Sequence, residues 1–436
     1  MTNQHLLPDI SALFLENFTQ ACEPQGTTQP PARPGRPPRL PLRDIVAGLV
    51  WHVMQSAGTL AQSLAMLCGQ SLSESALSER RQTLGAQPWI DALPCVLRTA
   101  ADATTRHLCA FYKGWHLTAI DGTTFNVANT PPMKCSARKS KARRGYDAFP
   151  RLSCVVLAEL GTHAPLAVHV GQNSESEAAL AREAIKDLQP GDLLLGDRYY
   201  GAAIWVMRLQ VLPTKPGFLI RVPEALKAKI LRYNSDGTTI VEVKSRECRD
   251  SSTLREIKAK VRKGNGDWVY LRFWTNLLDH ILYPALELVA LYAKRWEQEI
   301  AFRELKHHLQ DDNLLLSHTP VTAAQEICAL FMAQAIVAGI RSKAATEGKT
   351  DILQISFRKA LEACRNLGWL LSITGDKIPP PILAMIVQQI QTRLQASATK
   401  KRRRRSCPRK VRQPINSWPR LLENTYTIGD AQYELR

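Results

Sequence analysis

Between Leu291 and Leu309 the chain carries Tyr292, Arg295, Glu299 and Lys306 at i, i+3, i+7 and i+14. On a helix turning about 100° per residue they fall at roughly 0°, 300°, 340° and 320°. Four chemically potent side chains therefore share a stripe about 60° wide, and Arg303 joins them near about 20°. Trp296 and Ile300 border one edge of the stripe, and Phe302, Leu305 and Leu309 border the other. Glu297, Glu304 and His308 occupy the opposite face. A purely solvated face lies opposite the core. A charged stripe between two apolar borders instead reads as the wall of a site, with one carboxylate among cations suited to phosphate.

Two upstream segments offer further acids. Trp115 to Phe125 reads as a β-rich run containing Asp121, followed by Gly122, where the missing Cβ permits close approach by a metal or backbone. Asp192 to Gly196 is a short, nearly continuous apolar run, as in a buried parallel strand. Asp197 follows it, at the strand end where open α/β sheets place their ligands.

The spacing Tyr292-x2-Arg295-x3-Glu299-x6-Lys306, with Asp121 and Asp197 upstream, resembles the Y-R-E-K signature and acidic triad of bacterial DDE insertion-sequence transposases. The resemblance spans roughly residues 40 to 340 and includes the Asp197-Arg198 step. It implies an α/β fold: a ribonuclease-H-like catalytic core with a β-rich insertion, and mainly helical N- and C-terminal regions. It implies that Asp121, Asp197 and Glu299 are catalytic and hold two Mg2+ ions, for which Mn2+ can substitute. Carboxylates suit such hard ions, and two ions can serve the attacking and the leaving oxygen of a phosphodiester. Tyr292, Arg295 and Lys306 are then the DNA phosphate-binding residues. The implied reaction is metal-dependent strand cleavage followed by strand transfer. Two other readings stay open: an inactive transposase-derived DNA-binding protein or inhibitor, and a metal-dependent nuclease without strand transfer. The implied partners are double-stranded DNA, as terminal inverted repeats and target, and a second copy in a homodimeric DNA synapse. The implied location is the bacterial cytoplasm, associated with the nucleoid.

Composition and signals along the chain divide it into five regions. Residues 1–108 are helical and a DNA-binding candidate, or else a brace for the core. Residues 109–222 and 279–345 are the two parts of the catalytic core, 223–278 the β-rich insertion, and 346–436 a helical region with a basic tail. In Trp268 to Trp274, strand alternation puts Trp268, Tyr270, Arg272 and Trp274 on one face. That face either packs inside the protein or stacks on extruded bases, with Trp268 and Tyr270 as the base-stacking candidates. Hairpin-forming relatives place a Trp in this strand, but the matching position here is nearer Leu271. Lys134, Arg138, Lys139, Lys141, Arg143 and Arg144 form a basic loop, either solvated or clamping DNA backbone. Arg33, Arg36 and Arg39 lie in a proline-rich arm at 30–41.

The chain has 57 Lys and Arg against 39 Asp and Glu, a formal charge of +18, which favours a polyanionic partner. Met1 to His5 lacks a signal-peptide pattern, and the longest apolar run, Ile327 to Ile340, is interrupted by Gln334 and reads as a buried helix. The ten cysteines are dispersed and expected to be reduced, with no zinc spacing.

Lys400 to Arg405 is six consecutive cations, with Arg409, Lys410 and Arg412 beyond. Each phosphate neutralised contributes about −0.9 to the slope of log affinity against log salt. Deleting 400–412 should flatten that slope and weaken binding to every duplex about equally. Filter-binding titrations at several salt concentrations check this, and an unchanged slope would show that the tail does not touch DNA.

Overall fold

The structure is a computed structural model. It describes residues 40–399 other than 56–57, 70–71, 105–106, 138, 140, 143–144, 147–148, 172–173, 246–250, 263–266, 312–313 and 375–377, together with 406–407, 426–427 and 432–435. The arm at 30–39 and the cations at 400–405 thus lie outside the described residues, as do Arg138, Arg143 and Arg144 of the basic loop. Two compact units form, each discontinuous in sequence. The first comprises 1–110, 122–184 and 299–399, and the second 111–121, 185–298 and 400–436.

The first unit is built on helices. Leu42–Met54 (α1), Leu60–Cys68 (α2), Glu74–Leu84 (α3) and Gln87–Thr104 (α4) follow one another. Thr59 and Gln62 make a capping box at the start of α2, and Gly69 ends it in the left-handed conformation. The apolar faces of these helices join one core with Pro320–Glu347 (α9), Phe357–Thr374 (α10) and Pro380–Ala396 (α11). Helix α9 is long and apolar enough to cross a membrane, yet its apolar window is wholly buried inside the unit. Its polar side chains are satisfied there: Gln325 Nε2 donates to the carbonyls of Arg81 at 2.8 Å and Gly85 at 2.7 Å. These bonds latch the end of α3 to the central helix, as a buried amide requires.

One strand is common to both units: Trp115–Asn126 (β1). In the first unit Arg151–Glu159 (β2) and Pro165–Val170 (β3) form an antiparallel hairpin, and the strand order is β3-β2-β1. Glu177–Ala184 (α5) follows the hairpin.

In the second unit β1 pairs in parallel with Asp192–Gly196 (β4), and β4 with Gly217–Arg221 (β5). Every residue of β4 is buried, as its apolar composition demands. Ala203–Gln210 (α6) makes the crossover between β4 and β5, burying Trp205, Val206, Met207 and Leu209. The inserted strands Lys229–Tyr233 (β6), Thr239–Lys244 (β7), Ser251–Arg262 (β8) and Trp268–Thr275 (β9) continue the sheet in the order β5-β9-β8-β7-β6. Fully buried Arg255 locks the insertion. It donates to Thr238 Oγ1 at 3.0 Å, to Asp236 at 2.5 Å and to the Tyr283 carbonyl at 2.6 Å. These orders make a mixed α/β sheet that carries a β-rich insertion, in line with the α/β fold the resemblance implied.

Ala285–Tyr292 (α7) and Trp296–Glu304 (α8) complete the chain path toward α9. A single straight helix over 291–309 does not form. Ala293–Arg295 tightens to a 3₁₀ turn and Leu305–Leu309 widens to a π turn. The angular stripe therefore bends at both places, since these turns advance at other than 100° per residue.

Gly161, in the β2–β3 turn, faces the backbone of Ala110, and a Cβ there would lie 2.6 Å from Ala110 N and Cα. Main chain cannot yield as a side-chain tip can. Gly161→Ala should lower unfolding stability by about 1–3 kcal/mol, read by urea titration. Unchanged stability would show that the turn can move away from residues 109–110.

Candidate active site

The parallel ladders place three charged residues at one level of the sheet. Between β1 and β4 the partners run from His116↔Asp192 to Ala119↔Leu195, a constant offset of 195 − 119 = 76. Continued by two residues, that offset pairs Asp121 with Asp197, since 197 − 121 = 76. Between β4 and β5 the last partners are Gly196↔Ile220, an offset of 24, which carries Asp197 to Arg221. Arg221 in turn lies opposite Phe273 of β9. Asp197 follows β4 with extended backbone, φ −80° and ψ −175°. Adjacent strands are about 4.8 Å apart, so by these offsets the two carboxylates and the guanidinium stem from neighbouring positions: Asp121 midway along β1, Asp197 just beyond β4 and Arg221 at the end of β5.

Both carboxylates are held locally. Asp197 Oδ1 accepts the Tyr199 N–H at 2.7 Å, capping the turn Arg198–Tyr200. Asp121 Oδ2 lies 3.7 Å from Arg295 Nη1, the guanidinium being the more buried partner, at 11 % exposure against 22 %. Tyr292 packs its ring against Phe273, with centroids 4.7 Å apart. Burial pushes its hydroxyl pKa up to about 12, helped by the charge of Asp197 and opposed by those of Arg295 and Arg221. The phenol therefore stays protonated at any working pH. Within the second unit, Asp121, Asp197, Arg221, Tyr292 and Arg295 form one electrostatic group. Sequence reasoning missed Arg221. Its signal was present: an apolar run, Phe218 to Ile220, ending in a charge, the same pattern that exposed Asp197.

Glu299 and Lys306 belong to the first unit. Glu299 is half-buried on α8. Lys306 sits inside the π turn, where its Nζ donates to the Thr124 carbonyl of β1 at 3.0 Å and lies 5.6 Å from the Phe125 ring. It thus holds the strand that carries Asp121. The space beside Gly122, where close approach by a metal or backbone is expected, is taken by the side-chain carboxylate of Glu177 on α5, which lies where a Cβ would be. Glu304, read as facing away from the stripe, is instead tied to His163 and Arg341 in the interior.

The aromatic face of β9 divides. Trp274 is fully buried and donates Nε1–H to Glu256 at 2.9 Å. Arg272 donates to Glu256 at 2.6 Å and to the Leu226 carbonyl at 2.5 Å. Trp268 is half-buried and Tyr270 is 41 % exposed. Lys260 Nζ lies 5.2 Å from the Trp268 ring and 5.7 Å from that of Tyr270, so this end of the strand is cationic and aromatic together.

For a divalent ion, the donor set at the sheet fits in kind: two hard carboxylates at one level, neither deeply buried. Among the described residues, no three His, Cys, Asp or Glu side chains already form a group that holds a metal.

Comparison with known proteins bears on what this arrangement serves. Residues 116–336 match the family model described as the transposase DDE domain. Over 310 residues, 69 % of either protein, the chain is 24 % identical to transposase InsG for insertion sequence element IS4 of Escherichia coli K12. It is 30 % identical over 135 residues to the putative transposase InsZ of the same strain, covering 30 % of this chain and 43 % of that one. Among solved structures, a piggyBac transposase synaptic complex with hairpin DNA aligns over 88 % of this chain and 82 % of its own, with 9 % identity and a TM-score of 0.42. The matched stretch covers 221 of 436 residues (336 − 116 + 1 = 221), begins on β1 and ends within α9, so it contains all three acids. The chain belongs to the DDE transposase family, enzymes of metal-dependent phosphoryl transfer on DNA.

Proposed function

We propose that this transposase cuts DNA at the terminal inverted repeats of an insertion sequence and joins the freed ends to target DNA, with Asp121, Asp197 and Glu299 as its metal-holding acids. The observation that carries this reading is the parallel register of β1 and β4, whose offset of 76 brings Asp121, midway along β1, level with Asp197, just beyond the end of β4. The carboxylate donors suit two Mg2+ ions, with Mn2+ as a substitute. Bound there, such ions supply Lewis-acid neutralisation of the attacking and leaving oxygens. Arg295 balances the charge of Asp121 at 3.7 Å before any cation arrives. Arg221 and Arg295 offer the planar donors that match a phosphate, and the neutral phenol of Tyr292 adds a further donor. Lys306 supports the reaction by bracing β1 through the Thr124 carbonyl. Trp268 and Tyr270, with Lys260 above them, form a second DNA contact on which an unpaired base can stack. The assembly would be a homodimer on paired ends, acting at the bacterial nucleoid, and the match to InsG, a transposase for IS4, supports an insertion-sequence element as substrate.

Replacement of Asp121 or Asp197 by Asn, or of Glu299 by Gln, should abolish cleavage of a plasmid-borne element while end binding persists in gel shifts. The loss should exceed the ~10–100-fold that outer-shell changes around a metal cost. Wild-type cutting by any one variant would remove that residue from the site. Pre-cut 3′ ends supplied to the wild type should be joined to target DNA; cutting without joining would identify a nuclease instead.

Arg221→Ala removes a charged donor worth about 1.5–3 kcal/mol, or roughly tenfold to over a hundredfold in rate. Single-turnover cleavage should fall by that factor with thermal stability close to wild type. An unchanged rate would assign Arg221 to the fold alone.

A further inference from the structure

Three buried polar contacts tie the helix bearing Glu299 into the first unit, and none has a part in the chemistry above. Glu304, the last residue of α8, places Oε2 at 2.7 Å from His163 Nδ1 and accepts from Arg341 Nη1 at 3.2 Å. His163 and Arg341 are each 1 % exposed. Arg341 also donates Nε–H to the Ile355 carbonyl at 3.1 Å and lies 5.7 Å from the Phe357 ring. Gln334 of α9 donates to the Ala301 carbonyl of the same catalytic helix at 3.0 Å.

These groups are costly to bury. An ion pair in the interior is often no more stabilising than apolar residues of the same volume. His163 also sits at φ 65°, in the left-handed region that few non-glycine residues adopt. What the arrangement does provide is direction. The contacts on Glu304 come from two separate elements, the β2–β3 turn and α9, so the end of α8 can neither roll nor slide without breaking one of them. Glu299 lies five residues earlier on that helix. Immediately beyond Glu304 the chain widens into the π turn that aims Lys306 at Thr124, a helical irregularity frequent at functional sites.

We propose that Glu304, held between His163 and Arg341, is a positioning residue that fixes the rotation of α8 and thereby the direction in which Glu299 presents its carboxylate to a divalent metal. The proposal rests on the reading of Glu299 as a metal-holding acid.

The test measures cleavage rate against Mg2+ concentration for the full chain on a plasmid carrying the element. Wild type, Glu304→Gln, His163→Gln and Glu299→Gln are compared well below their melting temperatures. Glu304→Gln should raise the half-saturating Mg2+ concentration and lower the maximal rate, by about 10–100-fold in combination, with end binding unchanged in gel shifts. His163→Gln leaves the Glu304–Arg341 pair in place and should shift the metal curve in the same direction, which keeps the test decisive if Glu304→Gln does not fold. Wild-type metal curves in both, with only a lowered melting temperature, would reduce the clamp to a stabilising contact and overturn the proposal. Wild-type cutting by Glu299→Gln would bring down the metal-site reading and this proposal with it. A dead Glu299→Gln beside wild-type metal curves in the clamp variants would bring down the clamp alone.

Discussion

The site in this transposase depends on the register of three parallel strands. A parallel ladder fixes which residues share a level, and a slip of one residue turns every side chain to the opposite face. With offsets of 76 and 24, Asp121, Asp197 and Arg221 arrive at one level of the sheet. The buried strands enforce those offsets. All five residues of β4 are buried, as are Gly217 to Ile220 of β5, so neither strand can shift without exposing a continuous apolar run. The core that stabilises the sheet is thus what sets which charged residues share that level.

Charge is arranged around that level in alternating sign. Two carboxylates at neighbouring positions repel, and an opposite charge close by offsets that repulsion. Arg295 supplies that charge to Asp121. Arg221 lies next in the row after Asp197, and both act on the buried phenol of Tyr292. Oxygen donors for a hard cation and guanidinium donors for a phosphate therefore occupy one locality, as phosphoryl transfer on DNA requires. Within the first unit, Lys306 holds the later part of β1 through Thr124, and Glu304 holds the end of α8.

The sequence made the elements legible because their signals are local. An apolar run ending in an acid exposed β4 and Asp197, and residue spacing exposed the helical segment of Tyr292, Arg295 and Glu299. What it could not show is set by distant partners. The ladder offsets join segments 76 and 24 residues apart, so Arg221 looked like any strand-terminal cation. The 3₁₀ and π turns that bend the stripe leave no spacing pattern, since the contacts around them, Arg295 to Asp121 and Lys306 to Thr124, reach across more than a hundred residues. Glu304 looked outward because His163, its partner, is 141 residues away in the chain. Alternation placed Trp274 beside Trp268 and Tyr270, but the cross-strand neighbour Glu256 takes Trp274 into the interior and leaves the other two toward the surface.

The central claim is that the carboxylates of Asp121, Asp197 and Glu299 hold the catalytic metal. The most direct measurement replaces Mg2+ with Fe2+, adds ascorbate and peroxide, and maps by mass spectrometry where locally generated radicals cut or oxidise the full chain. Damage should concentrate beside Asp121, Asp197 and Glu299, and should vanish when excess Mg2+ competes for the site. Competable damage centred elsewhere, with the residues around Asp121 and Asp197 untouched, would contradict the account.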